Sequence, residues 1–452
     1  MKTSSTTVNV PTNLSPTANR RPCILLRSSW QTVNIGDIGH TPGLLALLKK
    51  HIPDARVILW PTLLDRGVHE VLMAEFPNLK IVDGRLTKDG QPDSDAMRDA
   101  FANADFLLHG SGPHLLGLKA IQAWVASTGK PYGIYGITQD PLGYDHDDPE
   151  RPTEGAPLDK QRRQIKALAP DHMSEAERTA FEAADFVFCR DSLTLAYLQG
   201  QCPNARHISF APDAAFGIES RDDATARAFL KKHVLSEGEF VCVIPRLRYT
   251  PYHLTHNRPA TRRDTRRAEI SDRHRERDLA KIRDLITRWV RTTGRKILLC
   301  PEMTYQIEVG KTSIYDFLPV DVQDRVVWRS DYWLPGEACS VYAMSEALVS
   351  MDNHSPIFAL AMGTPSIFLR HTTDTIKGEM WPDLSMGDWF VETDATDGKD
   401  LFERMMAIHN DRPAALAKLR AFMDGVHEHQ HRTMAVLATS LSQALQPSNQ
   451  QA

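Results

Sequence analysis

The chain has 452 residues, of which 42% are hydrophobic and 24% charged, with a formal net charge of −4. That length exceeds one ordinary core and predicts two domains, and the balanced composition excludes disorder or a fibrous repeat as the main theme. The charge offers no field for gathering nucleic acid. No apolar run approaches the roughly eighteen residues of a membrane span, and six cysteines without paired spacing fit a reduced, cytoplasmic compartment.

In chain order, residues 1–20 are rich in Ser, Thr, Asn and Pro and read as a flexible tail, not a signal peptide. Short apolar runs at 23–26, 57–60, 106–109, 133–137 and 186–189 alternate with segments of helical period, which predicts parallel strands joined by crossover helices. The rhythm breaks in the polar stretch 219–224 and restarts at 240–245, with further strands expected at 296–300, 326–328, 347–351 and 366–369. The expected architecture is therefore α/β, with two Rossmann-like domains facing a cleft: one over 21–235, one over 236–425, then a helix and tail over 426–452. Ligands in such sheets bind beyond the carboxyl ends of the strands, so function is sought in the loops that follow them.

Segment 256–277 interrupts the second series with eight arginines. It reads as a solvated surface insertion, the sharper alternative being a lid that orders over an anionic substrate. An amphipathic helix carrying Leu279, Ile282, Leu285, Ile286 and Trp289 is expected to follow it.

Three post-strand loops carry more polar groups than packing requires. In the first, 34–43, Thr41 suits an N-cap and Pro42 a first helical turn, and Asn34, Gly36, Asp37 and His40 surround a backbone open to anions or sugar hydroxyls. Its glycine spacing is wrong for a dinucleotide fingerprint. The second, 109–114, repeats the device with His109, His114 and Pro113, and either histidine can instead satisfy nearby backbone. In the third, 349–359, a buried strand runs into a helix at Asp352-Asn353-His354-Ser355-Pro356. There the positive helix end disfavours a charged His354 ring and Asp352 can orient it or oppose that shift. No metal constellation is evident.

With these loops in order, together with Phe188-Cys189-Arg190-Asp191-Ser192-Leu193 and Ala211-Pro212-Asp213-Ala214, the chain resembles the polysaccharide pyruvyl transferase family across most of 22–425. The family's Asn-x-Gly-Asp loop matches Asn34 to Asp37, its histidine matches His354, its Gly-x-Pro matches Gly363 to Pro365, and a trailing lysine matches Lys377. The resemblance implies a fold like the two-domain GT-B glycosyltransferases, phosphoenolpyruvate as donor with no further cofactor, a glycan or lipid-linked sugar as acceptor, and a pyruvate ketal as product. It implies His354 as proton donor or acceptor, Asp37 and Asp352 beside it, and Ser355 and Lys377 on the donor. Asn34, Gly36, His40, His109 and His114 would face the acceptor. The family commonly has arginine two residues before the histidine, where this chain has Asp352. Arg246, Arg248 and Arg370, each after an expected strand, are positioned to replace that charge. The alternatives are a glycosyltransferase that uses a nucleotide sugar and a non-catalytic glycan-binding homologue.

Overall fold

The computed structural model describes residues 20–142 and 154–446, so the expected tail, apart from Arg20, lies outside the described residues. Seven strands build the first sheet: β1 (Cys23–Ser28), β2 (Arg56–Pro61), β3 (Lys80–Ile81), β4 (Phe106–His109), β5 (Tyr132–Ile137), β6 (Val187–Cys189) and β7 (Ile208–Phe210). Their order is β3-β2-β1-β4-β5-β6-β7, with every pairing parallel. Six more build the second: β8 (Phe240–Ile244), β9 (Lys296–Leu299), β10 (Val326–Trp328), β11 (Ala347–Ser350), β12 (Ser366–Arg370) and β13 (Phe390–Glu392). These run β10-β9-β8-β11-β12-β13, again all parallel. Helices cover both faces, so the central strands are apolar throughout instead of alternating; β8 is buried along its whole length. Strand order reverses at β1/β4 and at β8/β11, and the loops leaving these strands open the crevice.

Four helices position the site. Helix α1 (Ile35–His51) begins earlier than the sequence suggests, because Asn34, not Thr41, is its N-cap, with the Asn34 side chain accepting from Gly36 N at 2.6 Å. Pro42 therefore sits inside the helix and forgoes one intrahelical bond. Thr41 instead ties α1 to the end of β1, its Oγ1 lying 2.8 Å from Ser28 Oγ and accepting from Ser29 N at 3.1 Å. The expected helix start at Pro113 is likewise displaced: 110–117 is a loop and the helix is Leu118–Thr128.

Helix α2 (Arg262–Thr293) replaces the expected insertion. Thr261 and Asp264 form a reciprocal capping box, and from there one helix of 32 residues runs on through the amphipathic stretch, burying Ile270, Ser271 and Asp278 as well. The arginine-rich segment is thus mostly the polar face of a core helix. Helix α3 (His354–Ala361) follows β11, as expected from sequence.

Helix α4 (Arg412–Ala444) starts well before the expected 426, capped by Asp411. Its first half buries Ala415, Leu419 and Val426 in the second core, and its second half carries Met434, Leu437 and Leu441 back onto the first sheet. Residues such as Phe216, Ala226 and Leu230, which the sequence places before the boundary near 235, also bury in the second core. Among the described residues no helix is long and apolar enough to cross a membrane. Because Leu437 is fully buried at the far end of α4, Leu437→Ala is expected to destabilise the chain by about 2–4 kcal/mol. The urea midpoint reads this, and an unchanged midpoint would show that α4 does not hold the first half.

Candidate active site

Two backbone hydrogen bonds join the halves at the cleft floor: Ile35 N donates to Glu302 O at 3.0 Å, and Thr304 N donates to Val33 O at 3.1 Å. The loop after β1 is thereby fastened to the loop after β9. Across the seam, the first residue of α3, His354, lays its ring on Gly36, where a Cβ would come within 2.2 Å of the ring carbon. One turn further along α1, His40 Nε2 meets His354 Nε2 at 3.0 Å and Asp213 Oδ1 at 3.3 Å. Asp213 follows β7, and Arg190 Nη1 holds its other oxygen at 2.5 Å. On the far side of His354, Nδ1 stands 3.4 Å from Glu302 Oε1, while Glu302 Oε2 accepts from Ser355 N at 2.6 Å.

Burial governs the electrostatics here. His354 is only 3% exposed, and burial, with the nearby Lys377 and His40, pulls its pKa down to about 3. At neutral pH the ring is uncharged and can take up a proton but not act as an imidazolium acid, which leaves the role of proton donor to another group. Burial and the adjacent Glu302 push Asp352 up to about 6, although Arg246 Nε lies 3.6 Å from its Oδ2. Desolvation wins because Asp374 already engages that guanidinium. Burial raises Glu302 as well. Asp213 behaves oppositely: against the upward push of burial, His40 and Arg190 hold it well below the carboxylate range.

The fold brings Asn34, Gly36, Asp37, His40, Arg246, Asp352, His354 and Lys377 to this floor and leaves other expected residues elsewhere. Asn34 is occupied as a cap, and half-buried Asp37 accepts from Gln31 Nε2. Arg248 is bound to Asp278 at 2.7 Å and also to Asp394, and Arg370 to Glu392 at 3.1 Å and Gln161 at 2.7 Å, so both serve buried structural networks instead of a donor. Arg246 stays at the cleft, between Asp374 and Asp352. Ser355 is fully buried, with its amide on Glu302 and its hydroxyl accepting from Tyr342 at 3.0 Å. The helix start expected to take the donor's anion therefore already holds the protein's own carboxylate. His109 Nε2 accepts from Gly117 N at 3.0 Å, which closes the 110–117 loop, and His114 is exposed on that loop. Lys377, half-buried in the turn Ile376–Glu379, makes no ion pair or side-chain hydrogen bond among the described residues, although its charge reaches His354, Glu302 and Asp352.

Sequence reasoning missed Glu302, Asp374 and Gln306, whose Nε2 donates to Asp352 at 2.9 Å, and gave Asp213 and Arg190 no role. Glu302 and Asp213 do follow strands, and that position was the available signal. The sequence suggests no metal site, yet His40, Asp213 and His354 place ligand atoms within 4.8 Å of one another.

Burial, with Arg27 nearby, takes the His109 pKa down to about 3. A folded-state value below the unfolded one of about 6.5 gives stability that is complete above about 6.5 and lost as pH falls toward 3, about 2 kcal/mol of it by pH 5. The destabilisation caused by His109→Asn should therefore be about 2 kcal/mol smaller at pH 5 than at pH 8 in urea titrations. Equal values at the two pH would refute a neutral, structural His109.

A search of curated proteins finds no match. Among solved structures, the chain is similar to a putative UDP-N-acetylglucosamine 2-epimerase from Listeria monocytogenes, with 11% identity, TM-score 0.54, and coverage of 96% of this chain and 100% of that one. It is also similar to Phytolacca americana UGT2 complexed with UDP-2fluoro-glucose and pterostilbene, with 12% identity, TM-score 0.50, and coverage of 93% and 100%. At such identities the likeness concerns the fold, which is GT-B-like: two parallel α/β sheets facing one cleft. The family model for polysaccharide pyruvyl transferase matches residues 34–373, from the Asn34 cap through the His354 helix to the loop after β12, and the chain belongs to that family of transferases.

Proposed function

We propose that the chain transfers a pyruvyl group from phosphoenolpyruvate to two hydroxyls of a glycan or lipid-linked sugar, forming a pyruvate ketal. The observation that carries this reading is Lys377, a half-buried ammonium with no acidic partner among the described residues, facing His354 and Asp352 on the cleft floor. An unpaired cation in such a place is suited to a small anionic donor.

The reaction needs a proton on the donor's methylene carbon, two new bonds from acceptor oxygens to the central carbon, and rupture of that carbon's bond to the phosphate oxygen. Of the two hydroxyl protons released, one balances the new methyl group and the other leaves with inorganic phosphate. Asp352 is the carboxyl closest in role to the carbon acid step, and half-buried Asp37 on the opposite wall is the candidate to receive an acceptor proton. Lys377 would hold the donor's carboxylate or phosphate.

Lys377→Gln should weaken phosphoenolpyruvate binding about 10- to 100-fold, the scale of one charge-assisted hydrogen bond. Donor-dependent thermal shift measures the binding, and the new methyl resonance in proton NMR measures ketal formation. Stabilisation by a nucleotide sugar, with no response to phosphoenolpyruvate, would overturn the donor assignment in favour of a glycosyltransferase.

A further inference from the structure

We propose that His40, Asp213 and His354 bind one divalent first-row transition cation of the Zn²⁺ type at the seam between the two halves. The case starts from distances. The two imidazole Nε2 atoms are 3.0 Å apart, Asp213 Oδ1 lies 3.3 Å from His40 Nε2, Asp213 Oδ2 lies 4.0 Å from His354 Nε2, and one ligand atom from each of the three residues falls within 4.8 Å of the others. Ligand bonds of about 2.0–2.1 Å at tetrahedral angles put ligand atoms about 3.3 Å apart, so the two imidazoles already stand near ligand spacing and the Asp213 carboxylate completes the set after a shift of about 1.5 Å or less. Two imidazoles and one carboxylate are a donor set for zinc or ferrous iron, not for magnesium, which prefers oxygen.

The groups behind two of the three ligands, His354 and Asp213, fit the same reading. A cation on both Nε2 atoms fixes each ring with its proton on Nδ1. For His354 that proton points to Glu302 Oε1 at 3.4 Å; both atoms are buried and lack a hydrogen-bond partner. Metal-bound histidines characteristically present their second nitrogen to a carboxylate, and metal-bound carboxylates are held through their other oxygen, as Arg190 holds Asp213. Without a cation, a single Nε2–H shared by the two neutral rings must serve both the other Nε2 and Asp213 Oδ1, where exposure is 3% or less and no bulk water helps.

The inference rests on the transfer reading only for its consequence. A cation here would return to the cleft floor the positive charge that Asp352 removes from the family's arginine position, close to where Lys377 would hold an anionic donor. The ligands come from both halves, so it would also fasten the halves together.

Chelator-stripped protein titrated with Co²⁺, in the absence of donor and acceptor, tests the site directly. The expected result is one equivalent with the intense visible absorption of low-coordinate Co²⁺, displaced by Zn²⁺ but not by Mg²⁺. His40→Gln should weaken binding about 100-fold, while His114→Gln, on the exposed loop, should bind as the wild type does. Substoichiometric or spectrally featureless Co²⁺, displacement by Mg²⁺, or undiminished binding by His40→Gln overturns the proposal. Should His40→Gln fail to fold, X-ray absorption of the wild-type complex decides, since two imidazoles in the first shell sustain the site and their absence refutes it. An empty titration beside intact ketal formation removes the cation and leaves the transfer reading; stoichiometric Co²⁺ beside absent ketal formation does the reverse.

Discussion

The cleft floor depends on a contact that only glycine permits, the His354 ring seated on Gly36 across the seam between two independently built sheets. The approach is set by the backbone hydrogen bonds made at Glu302 and Thr304 and by the Asn34 cap, which turns the chain into α1 two residues before the glycine. Once those are fixed, His40 one turn later has no choice but to face His354, and Asp213 reaches both from the end of the first sheet. An alanine at 36 would have to separate the rings or the halves, so the glycine is a positional requirement of the site and not a flexible hinge.

The second constraint is desolvated charge. An arginine two residues before His354 would have met a donor anion directly. Here Asp352 occupies that place, Glu302 fills the start of α3, and both carboxyls are pushed toward neutrality by burial. Keeping several unpaired carboxylates ionised in a dry floor costs too much, so the protein pairs, protonates or solvates each one. Arg246 serves Asp374, Arg248 serves Asp278 and Asp394, and Arg370 serves Glu392, which is why the cations that the sequence offered as replacements for the missing arginine are not available as such.

Legibility followed the length and burial of each element. Apolar runs such as those of β1, β4, β8 and β11 were readable because strands covered on both faces carry no polar alternation. Strands β3, β7 and β13, of two or three residues at sheet edges, leave no such trace. The start of α1 was misplaced because Pro42 imitates a first turn, and the arginines of α2 concealed a core helix whose inward residues are sparse. At the site, Asp37, Asp352 and His354 could be named because each stands beside a recognisable loop signal. Glu302 and Asp374 also follow strands, but nothing local singles them out, since their importance arises from partners 53 and 128 positions away in sequence.

The positive charge left open on this cleft floor is therefore set by subtraction. Arg248, bound to Asp278 on α2 and to Asp394, anchors Thr372 through a 2.9 Å bond, and Arg370 grips the Asp374 carbonyl at 2.7 Å. Together they fix the turn after β12, from which Asp374 extends to neutralise Arg246. The same rigid turn leads into the Ile376–Glu379 segment and delivers Lys377 to the cleft with no acid assigned to it among the described residues. Two buried guanidiniums thus shape the floor from outside it: by holding the turn they keep Asp374 on Arg246 and leave Lys377 without an acidic partner among the described residues. Under the proposed transfer, changes at Arg248 or Arg370 would consequently act on both stability and donor affinity, whereas changes at Lys377 would act on affinity alone.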